Sequence, residues 1–504
     1  MENSHRQQTV NAFSAFLHTP LDALIATSTP DVTTEVVLNL FHRVVAEVPA
    51  YQLFLQAQGI KPDHIQSLAD FQGLPLITKD NYLRRFSLGQ LCRGGKLEAC
   101  DMIAVSSGST GQPTFWPRFV TDEYKMATRF EQVFRDSFAA DRKRTLAVVC
   151  FALGTWVGGM YTANCCRLLA SKGYPLTVIT PGNNKAEILR VVQALGTDFE
   201  QVVLLGYPPF LKDVIDTGWA AGVPWPHYHV KWVMAGEVFS EAWRDLVGTR
   251  LGSTQPCFDS ACLYGTADAG ILGNETPLSI CIRRFLVAHP AVATACFGEA
   301  RLPTLVQYDP SSRYFEITEE GTLLFSGDNG IPLIRYHIND QGGLIPFEQM
   351  IEFLKGHGFD AIATLNQQGN AAIRPLPFVY VFGRSHFTIS FFGANIYPEN
   401  VTVGLEQPAI CDGVTGKFVM QLETDADQNT HLVIRVELAP GETSSLEKES
   451  AIAHSILQQL RRLNSEFAHY VPEEYQTPQI HLLPHEDANY FPVGVKHRYS
   501  LDQS

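Results

Sequence analysis

The sequence has no basic excess. Its 38 Lys and Arg against 52 Asp and Glu leave a formal net charge of -14, whereas proteins that hold a polyanion present a basic footprint to its phosphates. Nucleic acid is therefore not expected as a partner, although a local pocket for one nucleotide remains compatible with this charge. There is no dense cysteine framework: ten cysteines, only Cys165 and Cys166 adjacent, are scattered over 504 residues and read as free thiols of a reducing compartment. No apolar run is suited to span a bilayer. Leu146 to Tyr161 comes nearest, but it is short, interrupted by Gly154, Gly158 and Gly159, and preceded by the charge cluster Asp141 to Arg144. Met1 to Gln8 lacks the basic-then-apolar order of a secretory signal. These absences predict a cytoplasmic chain without a membrane partner. Solenoid repeats and long low-complexity linkers are also missing.

What is present is ordinary globular chemistry, 45% apolar and 18% charged, in a chain longer than one hydrophobic core usually supports. The first eighty residues carry helical spacing, as in Val37, Leu40, Phe41, Val44 and Val45, until Pro49 breaks it. From about Met102 short apolar runs alternate with amphipathic segments, which predicts an α/β domain with a largely parallel sheet. Its strands are expected at Ile103 to Val105, Leu146 to Phe151, Leu176 to Ile179, Gln201 to Leu205 and Trp232 to Met234, and a helix at Glu123 to Ser137. After about Arg384 the texture becomes α+β, with strands Phe418 to Leu422 and Leu432 to Leu438 and a helix Leu446 to Leu463. The expected division is a large N-terminal unit, 1–383, and a small mobile C-terminal lid, 384–504.

The most informative stretch is Ser106-Ser107-Gly108-Ser109-Thr110-Gly111-Gln112-Pro113-Thr114. Hydroxyls bond phosphate oxygens, and glycines let backbone N–H groups approach an anion with no Cβ in the way. No lysine follows Gly111, so this is not the loop of Walker-type ATPases. The run resembles the phosphate loop of the adenylate-forming superfamily. Its flanks are similar to the phenylacetate-CoA ligase branch: Val48-Pro49-Ala50-Tyr51, Leu74-Pro75-Leu76-Ile77-Thr78-Lys79-Asp80, Gly206-Tyr207-Pro208-Pro209-Phe210 and Gly236-Glu237-Val238-Phe239-Ser240 fall in the family order.

That resemblance implies ATP and Mg²⁺ as cofactors and a set of site residues. Tyr264-Gly265-Thr266-Ala267-Asp268 is similar to the family's aromatic-glycine-acidic motif, whose tyrosine flanks adenine and whose acid helps hold magnesium. Asp268 stands where a glutamate is usual, one methylene longer, which suggests a bridging water. Pro332 to Asp340 resembles the motif ending in an aspartate that takes both ribose hydroxyls. Asn339 stands where glycine is favoured, and asparagine also tolerates positive φ. Gly383-Arg384-Ser385-His386 resembles the hinge, with Arg384 reaching the ribose or phosphate. Pro492 to Arg498 resembles the motif of the adenylation lysine, making Lys496 the cation that bridges an anionic carboxylate and an anionic α-phosphate. The order of family segments puts Phe151, Trp156, Gly159 and Tyr207 on the acid-binding wall, and an aromatic lining suits a planar acid.

The activity implied is activation of a small, aromatic carboxylic acid as acyl-AMP with release of pyrophosphate. CoA is the acyl acceptor the resemblance implies first; an amine, a carrier-protein thiol or a hydroxyl receiving AMP are alternatives, and a nucleotide sensor without turnover is a rival of another class. Many members of this branch dimerise, so a homodimer is a further expectation. Some carry a structural zinc, but Cys257, Cys262, Cys281, His289 and Cys296 lack a paired Cys-x-x-Cys spacing, which argues against one here.

Overall fold

The computed structural model describes residues 2–25, 30–98, 100–106, 114–155, 157–236, 238–299, 302–369, 372–384, 389–391, 394–424, 430–464, 467–468, 471, 473–493 and 499. The helical N-terminus is built as its spacing predicts. Val37, Leu40, Phe41 and Val44 are buried on one face of Pro30–Glu47, and Pro49 ends that run by opening a new helix, Pro49–Ala57, at a position where its missing N–H costs nothing.

A hairpin follows, β1 (Met102–Ser106) antiparallel to β2 (Thr114–Arg118). Ile103 to Val105 is thus a strand, but it stands apart from the main sheet, because its partner is the nearby Thr114–Arg118 segment. The main sheet has eleven strands. Its first part comprises β3 (Thr145–Val149), β4 (Leu176–Ile179), β5 (Gln201–Gly206), β6 (Lys231–Ala235) and β7 (Ser260–Thr266), in the order β4-β3-β5-β6-β7 and parallel throughout. β3 and β5 are buried along their whole length, as unbroken apolar runs covered on both faces must be. Ala147, Val149, Val203, Leu205 and Val233 point to one apolar layer. Leu146, Val148, Val202, Leu204, Trp232 and Met234 point to the other.

The expectation of a largely parallel sheet needs correction. From β7 onward every pairing is antiparallel, through β8 (Gly270–Asn274), β9 (Thr304–Gln307), β10 (Arg313–Ile317), β11 (Thr322–Gly327), β12 (Leu333–Ile345) and β13 (Phe378–Arg384), ordered β8-β9-β13-β12-β11-β10. The short connections 267–269 and 318–321 leave no room for crossover helices, so β8 and β11 can only turn back on the strands before them, whereas two helices lie between β8 and β9 and two between β12 and β13. The sheet therefore changes from parallel to antiparallel at β7, which carries Tyr264.

The large sheet's last strand in sequence ends at Arg384. Beyond it lie the small hairpin β14 (Ile389–Phe391) with β15 (Ala394–Ile396), then a separate sheet of β16 (Val414–Thr424), β17 (Thr430–Leu438) and β18 (Gln479–Leu483). Helix Leu446–Leu463, capped by Ser445 through the Lys448 amide, covers this sheet with Ile452, Ile456 and Leu460. These elements share an apolar core distinct from those of the main sheet. No single helix among the described residues is long and apolar enough to cross a membrane.

Candidate active site

The site is assembled at the carboxyl ends of the parallel strands and at the switch to antiparallel pairing, where open α/β sheets commonly bind ligands. Gly265 sits in a bulge between β7 and β8, and a Cβ there would lie 2.8 Å from the Gly270 carbonyl oxygen. Thr266 Oγ1 accepts the Ala269 amide at 3.1 Å, closing a turn that folds Asp268 inward. Asp268 is 4% exposed, not a solvated turn residue. Its Oδ2 accepts the Tyr336 phenol at 2.5 Å, and its Oδ1 faces Lys79 Nζ at 3.7 Å. A single buried hard carboxylate fits the way Mg²⁺ is usually held, by one or two carboxylates and the phosphates of a nucleotide.

Asp340 and Tyr264 meet on the same side. Asp340 is also 4% exposed and accepts the Tyr264 phenol at 2.6 Å. The preceding Asn339 takes the left-handed conformation, φ 60°, as the resemblance required of it. Asp340 is the register partner of Arg384 across β12 and β13, so the Arg384 backbone borders Asp340.

Lys79 joins this cluster in a way that local patterning does not reveal. The segment around Ile77 lies alongside β12: the Ile77 amide donates to the Arg335 carbonyl at 3.1 Å, and the His337 amide donates to Ile77 at 3.0 Å. Arg335, itself at φ 47°, ties down the same segment through Leu74 O and grips Glu316 with Nε at 3.1 Å from both carboxylate oxygens. Thr78 caps the turn that starts at Lys79, accepting the Asn81 amide at 3.1 Å. The ammonium is thereby held 5.8 Å from the centroid of Trp116 on β2. It borders the hairpin whose ends bracket residues 107–113.

The residues expected on an acid-binding wall lie at the ends of β3, β5 and β6 and on the helix after β3. Phe151 and Tyr207 pack edge to face, with centroids 5.0 Å apart. Gly236 follows β6 at φ 85°, and a Cβ there would approach the Tyr207 ring to 2.8 Å. Gly159 is buried, and a Cβ on it would fall 2.3 Å from the Ala152 carbonyl oxygen. The structure thus brings together Phe151, Gly159, Tyr207 and Gly236 on one side, and Asp268, Tyr264, Gly265, Thr266 and Asp340 on the other. Ser106 ends β1. Ser107, Gly108, Ser109, Thr110, Gly111, Trp156, Glu237 and Lys496 lie outside the described residues, as does the side chain of Arg384.

A buried charge cluster, equally absent from the local pattern, fixes the segment after Gly236. Arg244 and Arg283 flank the Phe239 ring at 5.0 and 5.5 Å, and Arg283 donates to the Phe239 carbonyl at 3.0 Å. Glu275 accepts from Arg244 at 2.8 and 2.9 Å, from Arg283 at 3.0 Å and from the Cys262 amide at 2.8 Å. One carboxylate therefore joins β7, helix Glu241–Leu251 and helix Pro277–Ala288, and buried ions held by several partners set geometry.

The C-terminal unit docks beside this segment. Glu406 accepts a hydrogen bond from the Ser240 hydroxyl, and burial pushes its carboxyl up to about 7. Lys212 donates to the carbonyls of Cys411 at 2.9 Å and Val414 at 2.8 Å. Asp213 meets His485 at 3.0 Å and Lys185 at 3.1 Å. Asp213, His485 and Glu486 form the one gathering of three metal-ligating side chains among the described residues, and the Lys185 ammonium already pairs with Asp213 there. Cys257, Cys262, Cys281, His289 and Cys296 do not converge as a ligand set there, and all ten cysteines are free.

No protein-family model matches the chain. A phenylacetate-coenzyme A ligase of Aromatoleum evansii is 21% identical over 406 residues, 78% of each chain. The fold superposes on 2-hydroxyisobutyryl-CoA ligase in the postadenylation state with R3-HIB-AMP, with a TM-score of 0.66 and 15% identity over 94% of this chain and 89% of that one. Against the same ligase with 2-HIB-AMP and CoA in the thioesterification state, the TM-score is 0.54 at 14% identity, over 94% and 91%. The resemblance to the adenylate-forming superfamily, in its phenylacetate-CoA ligase-like branch, thus holds in sequence and in fold.

Proposed function

We propose that this chain is an AMP-forming carboxylic acid ligase: it activates a small acid with ATP as acyl-AMP and transfers the acyl group to CoA. The observation that carries this reading is the meeting, in one corner of the sheet, of two buried carboxylates, each held by a tyrosine hydroxyl, with Lys79 beside one of them and an aromatic-lined wall on neighbouring strands.

In this reading the acid lies against Phe151, Tyr207 and Gly159, whose aromatic faces favour a planar, aromatic acid. Asp340 accepts both ribose hydroxyls and so places the α-phosphate, while Tyr264 fixes that carboxylate and borders the adenine. Asp268 holds Mg²⁺, which neutralises phosphate charge when bound. The Ser106 to Gly111 loop and Lys79 bind the outgoing pyrophosphate. One carboxylate oxygen of the acid attacks the α-phosphorus, the bond to the β-phosphate oxygen breaks, and pyrophosphate leaves. Lys496, carried by the C-terminal unit, bridges the two anions where charge develops, which stabilises the transition state more than the ground state. The CoA sulfur then attacks the acyl carbon and AMP leaves. Movement of the 384–504 unit between these steps keeps water from the mixed anhydride.

The test is ATP–pyrophosphate exchange across aryl, arylacetic and short aliphatic acids, for the wild type and Lys496→Ala. Acid-dependent exchange that falls about 10²- to 10³-fold in the variant is expected. No exchange with any acid overturns the reading. Thioester formation with CoA, but not amides with amines, identifies the acceptor.

A further inference from the structure

We propose that a cleft at the amino ends of the parallel strands, at the end of the sheet opposite the active site, binds a phosphate-bearing anion. The cleft has a volume of about 380 Å³. Its walls come from the turn that precedes β3, from Lys231 at the start of β6, and from Gln255 and Phe258 ahead of β7. None of its residues belongs to the catalytic corner.

Its charge is unbalanced in a specific way. Of the cations that line it, Arg135 is paired with Asp22 at 2.8 Å and Lys231 with Asp259. Arg142 and Lys143 have no ion pair among the described residues. The lining carboxylate Asp136 is turned to Arg374, which donates to it at 2.8 and 2.9 Å. Asp141 is the other acid at the rim. The Lys143 ammonium is held below its ordinary pKa first by burial, then by the nearby Lys231 and Arg142, with Glu200 and Asp259 acting in the opposite sense. The exposed Arg142 and the half-buried Lys143 therefore line the cleft without an acidic partner, beside the already paired Lys231, an arrangement that an oxyanion relieves through charge-assisted hydrogen bonds.

Two further observations point into the same recess. Ser137 lines the cleft and is 8% exposed, and its buried hydroxyl has no hydrogen-bond partner. A buried hydroxyl left unpaired is costly, and a rotation of this side chain toward the cleft would let a phosphate oxygen satisfy it. Ala139, also in the lining, adopts φ 53°, a conformation L-residues avoid. Its carbonyl accepts the amides of both Arg142 and Lys143 at 3.2 Å, so the strained turn sets the two unpaired cations side by side.

Calorimetric titration with inorganic phosphate, and separately with glycerol phosphate, tests the assignment without turnover. It is therefore independent of the activity proposed above. Saturable binding at millimolar phosphate is expected, weakened about tenfold or more in Arg142→Ala/Lys143→Ala and preserved in Lys143→Arg. Matching circular dichroism spectra and thermal midpoints of the wild type and the double variant, in phosphate-free buffer, establish that the variant is folded. Tighter binding of one titrant tells a free from an esterified ligand. Absence of saturable binding by either titrant, or binding unchanged in the double variant, overturns the proposal.

Discussion

Replacing Glu406 with glutamine should abolish a pH dependence built into the docking of the C-terminal unit. Glu406 ends helix Pro398–Leu405, is buried, and accepts a hydrogen bond from Ser240 of the large unit. Burial raises its carboxyl from an ordinary 4.5 to about 7, while Ser240 and the more distant Arg283 and Lys212 offset only part of that rise. Between those two values the folded protein keeps a proton that the unfolded chain has released. Folded protein thus binds more protons, and stability falls as pH rises through the window, then levels off above it. A shift of this size corresponds to roughly 3 kcal/mol. Glutamine is neutral and nearly isosteric, and its carbonyl can still accept from Ser240. The assay is urea unfolding followed by intrinsic fluorescence at steps from acidic to mildly alkaline pH, for wild type and Glu406→Gln. The variant should gain about 3 kcal/mol relative to the wild type across the series, seen as a rising midpoint difference at constant slope. A difference that stays constant, or that grows in favour of the wild type, would refute the reasoning.

Three further outcomes are expected. Tyr264→Phe removes the 2.6 Å hydrogen bond to Asp340; a bond to a buried charge is worth about 1.5–3 kcal/mol, so KM for ATP in the exchange assay should rise about 10- to 100-fold, and an unchanged KM would show that the pair does not serve ATP. Gly159→Ala drives a Cβ to 2.3 Å from Ala152 O; a thermal melt should show about 1–3 kcal/mol of lost stability, with weakened saturation by the acid. Lys212→Met deletes the bonds to Cys411 O and Val414 O and should speed tryptic cleavage between the two units by about tenfold or more, because two charge-assisted bonds are lost.

The sequence by itself determined what depends on neighbouring residues. The unbroken apolar runs at Thr145–Val149 and Gln201–Gly206 can only be buried strands, and the spacing of Ile452, Ile456 and Leu460 sets a helix from Leu446 to Leu463. Motif chemistry marked Asp268, Asp340 and Tyr264, and the tolerance of asparagine for positive φ fits the backbone found at Asn339. Only the tertiary structure decided how these pieces face one another. The antiparallel half of the sheet was not legible, because pairing direction depends on the length of each connection and on which strand edges remain open, not on the residues within a strand. Lys79 reaches Asp268 because Ile77 pairs with the backbone of β12, far along the chain. Glu275 holds Phe239 because two arginines from different helices close on it. A local pattern fixes which face of an element is apolar; which charge that face brings to a site is fixed by packing between distant segments.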